Sequence, residues 1–169
     1  PDSTNLKSIA YKIHEAGIPV GVISTVSLDH ATPGAFYANS AKRSDYYSIA
    51  VQVADSDFEF FGGGGFINPM GKKGDKKSAY EVIQESGYLL AAGLDDFKSK
   101  KDKAEKILLL QNEGVESHEL PYAIDRKEGD MKLADLVSSA VEFLEGEDGF
   151  FMMAEAGRID WAAHSNDGK

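Results

Sequence analysis

Five short apolar runs divide this sequence at regular intervals: "IPVGVISTV" at 18–26, "FEFFGGGG" at 58–65, "YLLA" at 88–91, "KILLLQ" at 106–111 and "FFMMAEAG" at 150–157. Runs this short, rich in β-branched and aromatic residues and with little polar alternation, read as strands buried on both faces. The segments between them carry helical periodicity. Strands alternating with helices imply βαβ units, and so an α/β fold with a mostly parallel β-sheet and helices on both faces. In such sheets binding sites form outside the carboxyl ends of the strands. The residues that follow the apolar runs are therefore the first place to look for chemistry.

The helical segments have recognisable starts and stops. Asp2, Ser3 or Thr4 can cap a helix with Leu6, Ile9, Ala10 and Ile13 on one face, and Gly17 ends it. "TPGAFYANSAKR" places Thr32 as a cap and Pro33 in a first turn, where its missing N–H costs nothing. "DYYSIAVQVADS" reads as a helix, although Val51 and Val53 leave a strand open. "KSAYEVIQESG" is a short helix and "LDDFKSKKD" a polar helix or loop. The clearest helix is "DMKLADLVSSAVEFLEG", with Leu133, Leu136, Val137, Ala140, Val141 and Leu144 on one face and Gly146 as its stop. Asp160 to His164 begin a last helix.

Composition narrows the function classes. With 169 residues, 42% of them hydrophobic, the chain suits a single α/β segment with a sizeable core. No run of apolar residues is long enough to span a bilayer. A formal net charge of −10 argues against nucleic-acid binding, which needs clustered Lys and Arg to neutralise phosphates. The lysines at 72, 73, 76 and 77 and at 98, 100, 101 and 103 are interspersed with acids and read as solvated faces. There is no cysteine, so redox chemistry says nothing about compartment. The chain opens on Pro1 with no signal peptide and enters a helix almost at once, which reads as a piece cut from a longer precursor.

Two clusters could carry chemistry. In "FFMMAEAGRIDWAAH" an apolar strand ends in Glu155, and Asp160 and His164 follow at a spacing that puts both on one helical face. A carboxylate and an imidazole so placed could share one zinc ion. Spacing alone leaves open a capping Asp160, a surface His164 and a Glu155 paired with a lysine. In "SLDHATPGAFYANSAKR", Asp29, His30 and Thr32 follow another strand, and Arg43 comes later. Thr32 could be only a cap or a hard oxygen ligand suited to magnesium. Arg43 could be a solubilising charge or a planar fork gripping a phosphate through two hydrogen bonds. The glycines Gly62 to Gly65 could cradle a phosphate, but no Lys-Ser/Thr pair follows them as a phosphate loop requires, so a tight turn is the expected role.

Taken together, "EAGRIDWAAH" and "HATP" with Arg43 thirteen residues after His30 resemble the alkaline phosphatase family. Ala156 stands where the family's motif has its first glycine. "FEFFGGGG" followed by "PMG" matches the family's strand and glycine turn. The resemblance implies a central segment of a metal-dependent alkaline phosphatase. The complete enzyme would hydrolyse phosphomonoesters through a phosphoserine intermediate, using two zinc ions and one magnesium ion. Asp160 and His164 would ligate the first catalytic zinc. Thr32 and Glu155 would ligate the third site, usually magnesium, though His30 nearby also suits zinc. Arg43 would hold the phosphate, with His30 and Trp161 tuning the third metal and the contacts to phosphate.

The resemblance also sets out what these residues lack. The family's Asp-Ser-Ala nucleophile motif is absent; "PDSTN" and "ADSDF" do not fit it, and Ser3 and Ser56 read as structural. The ligands of the second zinc and the last histidine of the first are expected beyond Lys169. The chain alone is expected to bind metal weakly and hydrolyse essentially nothing. By resemblance the parent would be periplasmic or secreted, a homo-oligomer, and a binder of phosphate monoesters and inorganic phosphate. Two alternatives stand beside this reading: a related phosphodiesterase, sulfatase or phosphoglycerate mutase core, and a non-catalytic α/β scaffold.

Overall fold

The structure is a computed structural model that describes residues 5–111, 118–146 and 149–167. Its five strands are β1 (Val20–Ser24), β2 (Phe60–Gly63), β3 (Tyr88–Ala92), β4 (Lys106–Leu110) and β5 (Phe151–Glu155). They form one sheet in the order β3-β4-β2-β1-β5, and every pairing is parallel. Helices α1 (Ile9–His14), α2 (Ala31–Tyr37), α3 (Tyr46–Val51), α4 (Val53–Ser56) and α5 (Ala79–Glu85) precede or connect the first three strands. Helix α6 (Leu94–Lys100) and a 3-10 turn (Lys101–Lys103) lead to β4, α7 (Leu133–Leu144) leads to β5, and α8 (Gly157–His164) follows it.

Successive strand residues point to opposite faces, so a sheet covered on both sides needs apolar side chains at every position. Phe61, Val22 and Leu108 pack on one face with Ala10, Tyr37, Ile49, Val53 and Ile83, which come from α1 to α5. Phe60, Ile23, Ile107 and Leu109 pack on the other with Phe97 of α6 and Leu136, Ala140 and Leu144 of α7. The continuous apolar runs are thus the signature of a two-sided core. Among the described residues no helix is long and apolar enough to cross a membrane.

Several local expectations change. The proposed caps at residues 2–4 lie outside the described residues. Leu6 and Ile9, expected on a buried face, are 82% and 54% exposed, and α1 starts only at Ile9. The residue at the N-cap position of α2 is His30, whose side chain makes no capping hydrogen bond, and Thr32 lies inside the first turn. It stops at Tyr37 rather than reaching Arg43: Ala38 turns to extended backbone, and the last carbonyls, left without helical partners, are satisfied by side chains. The hydroxyl of Ser8 donates to Phe36 O at 2.5 Å and that of Tyr11 to Tyr37 O at 2.6 Å. The 45–56 segment is helical, as α3 and α4, so the strand alternative falls. On α7 the expected face is right except that Val141 is 37% exposed while Ser139 is buried. The stripe centred on Leu136, Ala140 and Leu144 turns Ser139 inward and Val141 to its border.

The glycine cluster has a steric purpose. Gly62 and Gly63 belong to β2 itself, and a Cβ on Gly63 would lie 2.9 Å from Ser24 O. A Cβ on Gly64 would meet the carbonyl of His118 at 2.3 Å and Glu119 N at 2.5 Å. These are backbone atoms, which cannot swing aside. The run therefore lets the carboxyl end of β2 lie flat against both β1 and the 118–119 peptide. Gly64→Ala is expected to destabilise the chain by about 3 kcal/mol, the upper part of the usual overpacking range, read as a lowered urea midpoint.

Candidate active site at the carboxyl ends of β1 and β5

The two candidate clusters are brought together by strand pairing. β1 and β5 are adjacent and parallel, with Val20 opposite Phe151 and, at the carboxyl end, Ser24 opposite Glu155. The Ser24 hydroxyl donates to Glu155 Oε2 at 2.6 Å and accepts from Val26 N at 3.1 Å. Thr25 N donates to Glu155 O at 3.0 Å, extending the ladder past the last strand residue. The side chain of Glu155 is thereby tied to the loop that leads to His30 and Thr32. Gly157 makes this approach possible: a Cβ there would lie 2.9 Å from both Val26 methyls and 3.2 Å from Glu155 Cδ.

Helix α8 then carries Asp160 and His164 one turn apart. His164 Nε2 lies 3.5 Å from Asp160 Oδ1, and the two side chains are 80% and 67% exposed. Trp161, between them, meets the His30 ring edge-on, with centroids 5.8 Å apart. His30 and Trp161 thus meet beside the paired ends of β1 and β5, and Thr32 is exposed in the first turn of α2, two residues after His30. Nδ1 of His30 is buried there without a hydrogen-bond partner among the described residues. Arg43 is exposed in the segment after α2, and it lines a cavity of about 530 Å³ with Ala31, Gly34 and Ala35 of that helix. Arg43 thus lies beside α2, in a cavity shared with Lys7 and Ser8 and not with Glu155, Asp160 or His164.

The donor chemistry suits metal ions. Imidazole and carboxylate of His164 and Asp160 are zinc-type ligands on one helical face, and Glu155 with Thr32 offers the oxygens that magnesium prefers. The number of donors does not complete a site: among the described residues no group of three or more His, Asp or Glu side chains stands close enough to hold an ion. Ser56 is no competitor for a nucleophile, since it is buried and its hydroxyl donates to Val53 O at 2.8 Å ahead of β2, away from this rim. Ser3 lies outside the described residues.

Asp29 is the buried acid of the site. Its side chain is fully inaccessible and accepts Ile67 N–H at 3.3 and 3.0 Å through its two oxygens. With Leu28 N donating to Gly65 O at 2.9 Å, it staples the loop after β1 to the loop after β2. Burial raises its pKa to about 6, against the opposing effects of the Ser27 hydroxyl and the Ile67 N–H.

Arg158 is the functional-looking residue that sequence reasoning passed over. Its N–H donates to Thr25 Oγ1 at 3.3 Å, and its Nη1 donates to Glu119 Oε2 at 2.5 Å. Its guanidinium lies 3.6 Å from the Tyr122 ring centroid and 5.6 Å from that of Trp161. The only sequence signal was its place inside "GRID". Glu119 and Tyr122 come from a stretch with no motif.

A parallel sheet whose polar groups collect outside two adjacent strand ends has the layout shared by many α/β enzymes, in which ligands bind at the carboxyl ends of the strands. A family model described as alkaline phosphatase matches residues 1–169, and the chain belongs to the alkaline phosphatase family. Alkaline phosphatase 3 of Bacillus subtilis (strain 168) is 31% identical over 171 residues, covering 98% of this chain and 36% of that protein. The tissue-nonspecific isozyme of Homo sapiens is 27% identical over 194 residues, covering 92% of this chain and 36% of that protein. The structure of the enzyme from the Antarctic bacterium TAB5 superposes with a TM-score of 0.82 at 32% identity, over 98% of this chain and 47% of that one. That of Thermus thermophilus gives 0.81 at 33% identity, over 97% and 34%. The chain thus spans 36% of the length of the Bacillus and human relatives.

The pKa of Asp29 has a consequence for stability. Raised from 3.8 to about 6, it makes the folded chain hold more protons than the unfolded one between those values. Stability therefore falls as pH rises across that window, and the loss persists above it. Asp29→Asn keeps an oxygen for the Ile67 N–H and removes the titration. The variant is expected to gain on the wild type steadily between about pH 4 and pH 6 in urea midpoints, and to hold that gain at higher pH.

Proposed function

We propose that this chain supplies part of the metal and phosphate site of a phosphomonoester hydrolase, whose nucleophilic serine belongs to a region outside these 169 residues. In this reading Asp160 and His164 hold a catalytic zinc, and Glu155 and Thr32 hold a third ion, magnesium or, because His30 adjoins it, zinc. The observation that carries it is the pairing of Ser24 with Glu155 together with the His30–Trp161 contact. Two motifs more than a hundred residues apart in sequence thereby share one rim. Variants of the TAB5 enzyme have magnesium bound in a site named M3, which supports a hard-cation site in this family.

Ions bound at these sites would supply Lewis acidity, favouring the ionised nucleophile and stabilising charge on the leaving oxygen. The residues of this chain would do the positioning. The Arg43 guanidinium would hold two non-bridging phosphate oxygens in its planar fork and offset the charge that gathers on them as the phosphoryl group transfers. Ser24, by donating to Glu155 Oε2, leaves that carboxylate one oxygen for an ion. His30 and Trp161 would border the phosphate and order the water around it. Nothing here selects the alcohol, so a broad range of phosphate monoesters is proposed. The parent is proposed to be secreted or periplasmic and to act as a homo-oligomer, while the chain alone, without the nucleophile motif, is proposed to be inactive.

Two measurements test this. Cobalt(II), a spectroscopic stand-in for zinc, is expected to bind the chain weakly and to lose that binding in the double variant Asp160→Ala with His164→Ala; binding unaffected by the pair contradicts the ligand assignment. In the full-length parent, Arg43→Ala is expected to weaken inhibition by inorganic phosphate about tenfold or more, a loss of about 1.4 kcal/mol or more, with metal content unchanged. Unaltered inhibition would remove Arg43 from its role.

A further inference from the structure

Helix α8 lacks the usual means of fixing its rotation. Its buried residue is Gly157, which has no side chain to lock, and Ile159 is 71% exposed. Helix α7, by contrast, is seated by Leu136, Ala140 and Leu144 in the core. Yet the rotation of α8 about its axis decides where Asp160 and His164 point, since a turn of one residue position moves a side chain by about 100°.

What holds α8 is polar and aromatic, and it converges on Arg158. We propose that Arg158 is a positioning residue: its guanidinium, clasped by the Tyr122 ring and the Glu119 carboxylate, sets the rotation of α8 that presents Asp160 and His164 at the β1/β5 rim. This deepens the proposed function and rests on its assignment of those two residues as ligands. The clasp has a firm base. Leu120, between its two jaws, is buried in the core, and its N–H donates to Thr25 O at 2.9 Å. The 118–119 peptide lies directly over Gly64. The stretch that carries Glu119 is therefore fixed to the ends of β1 and β2 by contacts that do not involve α8, and Tyr122 follows it by three residues.

The geometry calls for arginine. A guanidinium is planar and can stack on a ring while its edge N–H groups point at a carboxylate; an ammonium can make only one of these contacts well. The side chain is 19% exposed and that of Glu119 27%, so both interactions act largely out of bulk water. The backbone of the same residue bonds Thr25 Oγ1, and Trp161, whose ring centroid is 5.6 Å from the guanidinium, reaches His30. Residues that orient metal ligands without touching the ion change affinity by about 10- to 100-fold when removed.

The chain has one tryptophan, Trp161, in the helix at issue, which gives a readout independent of metal. Cobalt(II) affinity and Trp161 emission would be measured for the wild type and for Arg158→Met, Arg158→Lys, Tyr122→Leu and Tyr122→Phe, with circular dichroism to establish folding. The expected result is a loss of cobalt affinity of about tenfold or more, and a shifted Trp161 emission, in Arg158→Met, Arg158→Lys and Tyr122→Leu. Tyr122→Phe keeps the ring and should match the wild type; it serves as the folded control if Arg158→Met does not fold. Folded variants with wild-type affinity and wild-type emission overturn the proposal, as does a Tyr122→Phe variant as impaired as Tyr122→Leu. A wild type that binds no cobalt overturns the ligand assignment instead, and Trp161 emission in folded Tyr122→Leu, which leaves the guanidinium beside Trp161, then decides whether the clasp on Arg158 orients α8.

Discussion

The parallel, in-register pairing of β1 with β5 is the constraint on which the site depends. It sets Ser24 against Glu155, and the 2.6 Å hydrogen bond between them closes the carboxyl end of the pair. A one-residue slip would turn Glu155 to the opposite face of the sheet, away from Ser24, and carry Asp160 and His164 away with it. Register is protected by the core itself, since Met153 opposite Val22 faces one layer and Met152 beside Gly21 the other. The apolar face of the sheet thus fixes the positions of polar groups that it does not touch.

Close backbone approach is the second theme, and it explains the glycines. At Gly63, Gly64 and Gly157 a methyl group would collide with Ser24 O, the His118 carbonyl and Val26 respectively. Each contact lies at the same edge of the sheet, where loops after β1, β2 and β5 are pressed together. The loop carrying Asp29 is stapled to Ile67 in the same region. The edge is therefore built as a tight seam of main chain, and the polar side chains at the rim project from a support that has little room to move.

The fold was legible because its signal is repeated. Five apolar runs separated by helical segments admit few arrangements, and the two-sided core needs each of them. Boundaries were less legible. Helix α2 ends at Tyr37, where hydroxyls of Ser8 and Tyr11, partners more than twenty residues distant, satisfy its last carbonyls. Leu6 and Ile9 fit a helical period and are nonetheless exposed, because periodicity says which residues share a face and not whether anything covers it. At the site, motif residues such as Glu155, Asp160 and His164 stand out by type and spacing. Ser24 and Arg158 do not, since an isolated serine or arginine has no pattern until its partner is beside it.

The sequence by itself determined the class of fold, the family and the side chains that carry charge near strand ends, because these follow from local periodicity and from motifs contiguous along the chain. Only the tertiary structure decided that Ser24 bonds Glu155, that Arg158 is clasped by Glu119 and Tyr122, and that His30 meets Trp161. Each of these joins residues from different strands or loops, and their distance is set by the packing of the whole sheet, which no local stretch encodes.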